Sequence, residues 1–350
     1  MRRLNSIRIL RAVTATTVVV HHVLIQDGRV FGEFRVDVFF VLSGFVIALA
    51  LEAGTTSVRE FIASRLVRIV PLYWLATLLV FFGALLRPDL FNSTTANLSE
   101  LLKSLFFIPY RKQSGHMFPM LFVGWTLNYE MLFYATSALA LWRFRRNASL
   151  VFAAITLMLA AAFLIASLAH SNRAIVEFLA YDRLLEFPLG IAVWFVWRKG
   201  VRIPVAIAAP GAVAMYVLMT CIERAWPDLS PVVGHGVPTC LLLMSTLSLE
   251  GLVVDSALTR GLLYLGDASY ATYLIHPFVV EGMRKLVPNV VHGFDVRSPG
   301  GVILAIVVAS VVGCVVYRYV DKPLHRAMAR LIKVKRVVNP PAGEEAVVSQ

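Results

Sequence analysis

Apolar positions along this chain fall in long blocks separated by short polar stretches, and each block approaches the length of a membrane crossing. A helix rises about 1.5 Å per residue, so about 20 apolar residues cover the hydrocarbon core of a bilayer. Ten runs fit that description, at 9–26, 36–52, 70–87, 119–142, 149–169, 183–197, 203–221, 237–254, 262–282 and 301–320. The sixth is short and contains Glu186 and Pro188, and the ninth contains Asp267 and His276. The stretch 101–109 is too short to span and reads as an interfacial or re-entrant segment. The pattern predicts an all-α integral membrane protein with about ten transmembrane helices.

Composition agrees. Apolar residues make up 58% of the chain and charged residues 15%, against about a quarter charged in ordinary soluble domains. Such a chain has too little polar surface to face water. The net charge of +12 raises the question of nucleic acid, which the distribution excludes: the basic residues sit in short segments between apolar runs, with no single basic face. With ten spans, 20 of the 33 Lys and Arg fall on the side holding the termini and 12 on the other, Arg318 lying inside the last run. The positive-inside rule then puts both termini of a multi-pass protein in the cytoplasm. The first run carries Arg11, His21 and His22 and no clear cleavage site, which argues against a removable signal peptide. Cys221, Cys240 and Cys314 lie in or beside apolar runs without metal-ligand spacing, so no metal site and no disulfide framework is expected. Lys333, Lys335 and Arg336 form a charge run suited to anionic lipid, and the sequence beyond reads as disordered. The organisation is thus a membrane domain over 1–323 and a basic, then disordered, cytoplasmic tail over 324–350.

Ionisable residues inside apolar runs are costly and by default mark function. Arg11 and His22 are eleven residues apart, close to three helical turns, so they share a face at a separation of about 16 Å; His21 points about 100° away. A snorkelling Arg and a hydrogen-bonded His give the bland alternative. Asp37 opens the second run, where it can cap a helix, and Ser43-Gly44 permits close helix packing. Arg65 and Arg68 share a face just before the third run, as anchors or as a fork for phosphate oxygens. Glu130 lies in the fourth run, Arg183 and Glu186 form an i, i+3 pair in the sixth, and Ser269, Tyr270, Tyr273 and His276 give the ninth a polar stripe. Polar groups recurring through several spans suggest one shared cavity, in a transporter or in an intramembrane enzyme.

Taken in order, these motifs resemble the acyltransferase 3 family over most of the chain, from Ser6 to about Pro323. The correspondences are Arg11 with His22, Val36 through Phe45, Arg65 through Tyr73, Trp125 through Glu130, Gly266 through Pro277, and Asp321-Lys322-Pro323. The opening Ser6-Ile-Arg-Ile-Leu-Arg-Ala12 looks like the exopolysaccharide acetyltransferases. One departure is Thr14-Ala-Thr-Thr17, where the family is usually rich in Ala and Leu; these threonines can bond back to helix carbonyls.

The resemblance implies transfer of an acyl group, acetyl above all, from cytoplasmic acyl-CoA to a hydroxyl of an exopolysaccharide or other cell-envelope glycan. Acyl-CoA is then a donor substrate and no cofactor is permanently bound. The implied catalytic residues are His22, Arg11 and Glu130; Arg11, Arg65 and Arg68 hold the donor; Asp37, Ser43, Ser269, Tyr270, Tyr273 and His276 line the cavity or meet substrate. His22 acts as general base or accepts the acyl group itself. The expected partners are acyl-CoA, a glycan or lipid-linked glycan, membrane lipid and polysaccharide synthesis machinery, with no nucleic acid. The loop 88–118, with Lys103, Arg111, Lys112 and His116, is expected on the outer side. A transporter or flippase for a glycan or lipid is the alternative.

Overall fold

A computed structural model describes residues 4–24, 34–52, 57–91, 94–112, 115–144, 147–169 and 171–332. The tail residues Lys333, Lys335 and Arg336 and the rest of 333–350 lie outside them. Among the described residues the fold is helical and has no strand. Thirteen α-helices follow in order: α1 Asn5–Leu24, α2 Phe34–Leu51, α3 Val58–Leu86, α4 Leu98–Leu105, α5 Trp125–Phe144, α6 Ala148–Leu168, α7 Ala174–Leu179, α8 Glu186–Arg198, α9 Val205–Ala225, α10 Val237–Ser248, α11 Ala257–Leu286, α12 Pro299–Val316 and α13 Lys322–Leu331.

Among the described residues, six helical segments are long and apolar enough to cross a membrane: α1, α2, α3, α6, α9 and the continuous stretch Pro299–Leu331. The other four predicted runs are helical too. α8 has only 13 residues, α10 is preceded by a π-helical stretch at Val232–Gly236, α5 carries Glu130 and other polar residues in its first two turns, and α11 carries several charged residues.

Local sequence sets several helix starts. Ser57 and Glu60 form a reciprocal capping box at the head of α3, satisfying backbone donors that the helix leaves open. Asn147, Ser256 and Ser298 cap α6, α11 and α12. Two boundaries differ from the sequence reading. α3 starts at Val58, so Arg65 and Arg68 lie within it rather than ahead of it, because the cap overrides the polar composition of that segment. The fourth run reaches helix only at Trp125, after a 3-10 turn over Phe122–Gly124.

The bundle is organised by α1 on α11, α2 on α8, and α12 on α11. Glycines permit these approaches. A Cβ on Gly190 would lie 1.9 Å from the Val41 carbonyl oxygen, and one on Gly44 2.1 Å from that of Phe187, so the α2 and α8 backbones touch. A Cβ on Gly266 would lie 2.1 Å from the Arg8 carbonyl oxygen, which draws α11 onto α1. The Arg8–Asp267 ion pair, 2.6 Å, closes the same end of that contact.

Candidate active site

The α1–α11 contact brings together residues more than 250 positions apart in the chain. Arg11 Nη2 donates to Ser269 Oγ at 3.0 Å. Three turns along α1, His22 Nδ1 lies 3.2 Å from His276 Nε2, so the face shared by Arg11 and His22 is the face turned to α11.

Around Arg11, residues of α1, α2, α3, α5 and α11 line a partly open cavity. Its charged lining is Arg11, Arg65, Arg68 and Glu130. Ser43 Oγ donates to Glu130 Oε1 at 3.3 Å, and the Tyr134 hydroxyl donates to the same oxygen. Tyr270 donates to the Ile69 carbonyl at 2.7 Å, tying α11 to α3. The Arg65 guanidinium lies 5.8 Å from the Tyr134 ring centroid. Three guanidiniums against one carboxylate leave the cavity positive. Arg11 Nε and Arg65 Nε are buried and without a hydrogen-bond partner among the described residues. Buried donors of this kind are expensive unless a ligand satisfies them, and a polyanion does so.

His22 faces a second chamber, of about 1000 Å³, lined by His21, Arg35, Phe122, Trp125, Glu281 and Arg284 among others. Val36 and Tyr273 line both spaces, so a thin partition separates the arginines from the histidine. The tautomer of His22 follows from its neighbours. His276 Nδ1 stands 2.7 Å from the Tyr273 carbonyl oxygen, which can only accept, so that nitrogen carries the proton. In the uncharged ring Nε2 is then bare, and His22 Nδ1 must supply the hydrogen between the two rings. His22 Nδ1 also stands 3.0 Å from the Val18 carbonyl, a second reason for it to be protonated. The remaining nitrogen, His22 Nε2, is left with a free lone pair, the form needed in a base or a nucleophile.

The structure thus gathers Arg11, Arg65, Arg68, Glu130, Ser43, Ser269, Tyr270 and Tyr273 on one cavity and His22 with His276 beside the next. Asp37 lies elsewhere. It is fully buried, with Arg183 Nε 2.6 Å from Oδ1 and His235 Nδ1 3.2 Å from Oδ2, and the buried Glu186 beside it. It is walled off because the α2–α8 contact covers its side of the helix. His21 also lines the His22 chamber, its ring edge-on to His22 at 4.8 Å. Arg284 was not singled out from the sequence. Its Nη2 donates to the His22 and Val23 carbonyls at 2.7 and 3.2 Å, holding the C-terminal end of α1, while Nη1 pairs with Glu281 at 2.9 Å. The signal was the Glu281-x-x-Arg284 spacing, which becomes visible once α11 is seen to run past residue 282.

The family described as an acyltransferase domain, acyltransferase 3, matches residues 4–319. The exopolysaccharide production protein ExoZ of Rhizobium meliloti (strain 1021) is 34% identical over 301 residues, covering 84% of this chain and 90% of that protein. The acyltransferase MdmB of Streptomyces mycarofaciens is 26% identical over 344 residues, covering 89% and 86%. No solved structure matches. With the family's match spanning nearly all of it, the chain belongs to the acyltransferase 3 family and is an O-acyltransferase.

Proposed function

We propose that this protein moves an acyl group, acetyl above all, from cytoplasmic acyl-CoA to a glycan hydroxyl at or beyond the outer leaflet of the bacterial inner membrane. One observation carries the reading: an arginine-lined cavity and a histidine-lined chamber lie along one helix and share Val36 and Tyr273 in their walls. Arg11, Arg65 and Arg68 hold the phosphates of the donor, as guanidinium forks suit phosphate oxygens. The pantetheine arm runs along α1, and its length is comparable to the axial rise of about 16 Å between Arg11 and His22. His22 Nε2 takes the proton of the acceptor hydroxyl as its oxygen attacks the thioester carbonyl. The C–S bond then breaks and the same proton passes to the departing thiolate, giving an ester and free CoA. Glu130, held by Ser43 and Tyr134, balances the arginines.

The topology that accompanies this reading has ten crossings with both termini cytoplasmic, the predicted loop 88–118 outside, and the donor and acceptor reaching the protein from opposite sides. The exopolysaccharide role comes from the likeness to ExoZ. Purified protein in lipid nanodiscs with labelled acetyl-CoA tests the proposal. Turnover that His22→Ala reduces by about 10²-fold or more, and His21→Ala by less, is the expected result. Absence of thioester turnover in the wild type, with a labelled glycan or lipid moved across the bilayer when the protein is placed in sealed vesicles, would establish the transporter alternative.

A further inference from the structure

The His22 chamber shares two aromatic walls with a neighbouring space that the transfer chemistry does not use. Phe118 and Trp125 line the chamber and also line a cleft of about 830 Å³. The rest of that cleft includes Asn128, Tyr129, Phe178, Tyr181 and Arg183. Its aromatic surface is rigidly built. Tyr129 stacks on Phe178 with ring centroids 4.1 Å apart, and its hydroxyl donates to the Phe178 carbonyl at 2.9 Å. The Arg183 guanidinium lies 5.6 Å from the Trp125 ring centroid and 5.1 Å from that of Tyr181, within cation–π range of both. Arg183 is in turn fixed by Asp37. The buried Asp37–Arg183 pair, costly in itself, therefore sets the positions of two rings in the cleft wall.

One polar group in this wall lacks a partner. Asn128 is 7% exposed, and its carboxamide oxygen has no hydrogen bond among the described residues. An acceptor left open beside a cleft is satisfied when an occupant brings a donor. The positive charge of Arg183 is already met by Asp37, and Glu177 pairs with Arg111, so nothing here selects an anion. An aliphatic chain would leave Asn128 open. A sugar ring supplies both an apolar C–H face for the aromatic rings and hydroxyl donors for the amide.

We infer that this cleft is the acceptor subsite: a sugar ring lies against Trp125 and Tyr181, one hydroxyl donates to Asn128 Oδ1, and the reacting hydroxyl passes Phe118 and Trp125 to reach His22. The inference rests on His22 being the base of the proposed transfer. The experiment uses the full chain in nanodiscs and, as probe, oligosaccharides cut from the host's own exopolysaccharide and stripped of acyl groups by mild base. Binding is measured by calorimetry without acetyl-CoA, and transfer is measured separately as KM and kcat. Asn128→Leu, which keeps the volume, should raise Kd and KM about three- to tenfold with kcat little changed. Tyr181→Ala should do the same, and Tyr181→Phe should restore wild-type binding because the stacking face remains. Wild-type Kd and KM in Asn128→Leu and Tyr181→Ala would overturn the subsite while transfer by the wild type upholds the enzyme reading. Oligosaccharide binding that these variants weaken, in a wild type that transfers nothing, would uphold the subsite and sink the transfer reading. If Tyr181→Ala fails to fold, Asn128→Leu decides alone.

Discussion

The Nε2 atom of His276 lies 3.2 Å from Nδ1 of His22, a contact between α11 and α1 that determines which nitrogen of His22 remains available. The chain of carbonyl, His276 and His22 works as second partners do around metal-bound imidazoles, by fixing tautomer and orientation. Nitrogen-15 NMR of histidine-labelled protein should show His22 with its proton on Nδ1. His276→Ala should lower acyl transfer on the order of 10- to 100-fold through misplacement of the ring. His276→Gln, which can still accept from His22, should recover part of that loss. A His22 resonance with the proton on Nε2 would rule out the arrangement.

The arginine cavity makes a separate prediction about the donor. Arg65→Ala and Arg68→Ala should each weaken acyl-CoA binding by about 1.5–3 kcal/mol, the value of a hydrogen bond to a charged group. That corresponds to roughly 10- to 100-fold in Kd. Loss should be smaller for dephospho forms of the donor, which offer fewer phosphate oxygens. Unchanged donor affinity, with altered membrane orientation instead, would assign the pair to anchoring.

Much of this site was legible because helical spacing is reliable over three turns. Arg11 and His22 could be placed on one face from their eleven-residue separation alone, and Arg65 and Arg68 from their spacing of three. Which helix that face meets could not be read, since the pairings Arg11–Ser269 and His22–His276 depend on packing between the ends of the chain. Asp37 shows the same limit from the other side. Its position near a helix start suggests a cap or a cavity residue, yet its partners, Arg183 and His235, come from far along the chain, and Arg183 leads into α8, whose approach to α2 depends on Gly44 and Gly190. The six helical segments that meet the length and apolarity requirement are long apolar blocks; of the other predicted runs, α5 and α11 carry polar groups of the site, and α8 and α10 are short.

The α2–α8 contact should be among the least tolerant in the molecule. A methyl group on Gly190 would overlap the Val41 carbonyl, and no side chain can yield there because the obstacle is backbone. Gly190→Ala should destabilise by about 1–3 kcal/mol or more, as overpacking does, and shift Ser43 on the cavity wall. Gly282→Ala is the control: a Cβ there meets nothing within 4 Å, so helix propensity should leave stability equal or slightly higher. Thermal unfolding in detergent separates the two, and equal midpoints for both would contradict the close contact.

Delivery of an acyl group through the protein requires the two ends of α3 to face opposite compartments. Arg59 lies at the start of α3 and is exposed, while Asp89 lies just past its end with more than half its side chain exposed. Ser114, the natural choice in the predicted outer loop, lies outside the described residues, so Asp89 is the better site for a probe. In a background with Cys221, Cys240 and Cys314 changed to Ser, Asp89→Cys should react with a membrane-impermeant maleimide applied to intact spheroplasts. Arg59→Cys should react only after the membrane is opened. The charge asymmetry argues for this orientation, because the segment at the head of α3 contributes to the more basic side. The inverted result would put Arg11, Arg65 and Arg68 on the side away from cytoplasmic acyl-CoA, and the transfer route proposed above could not operate.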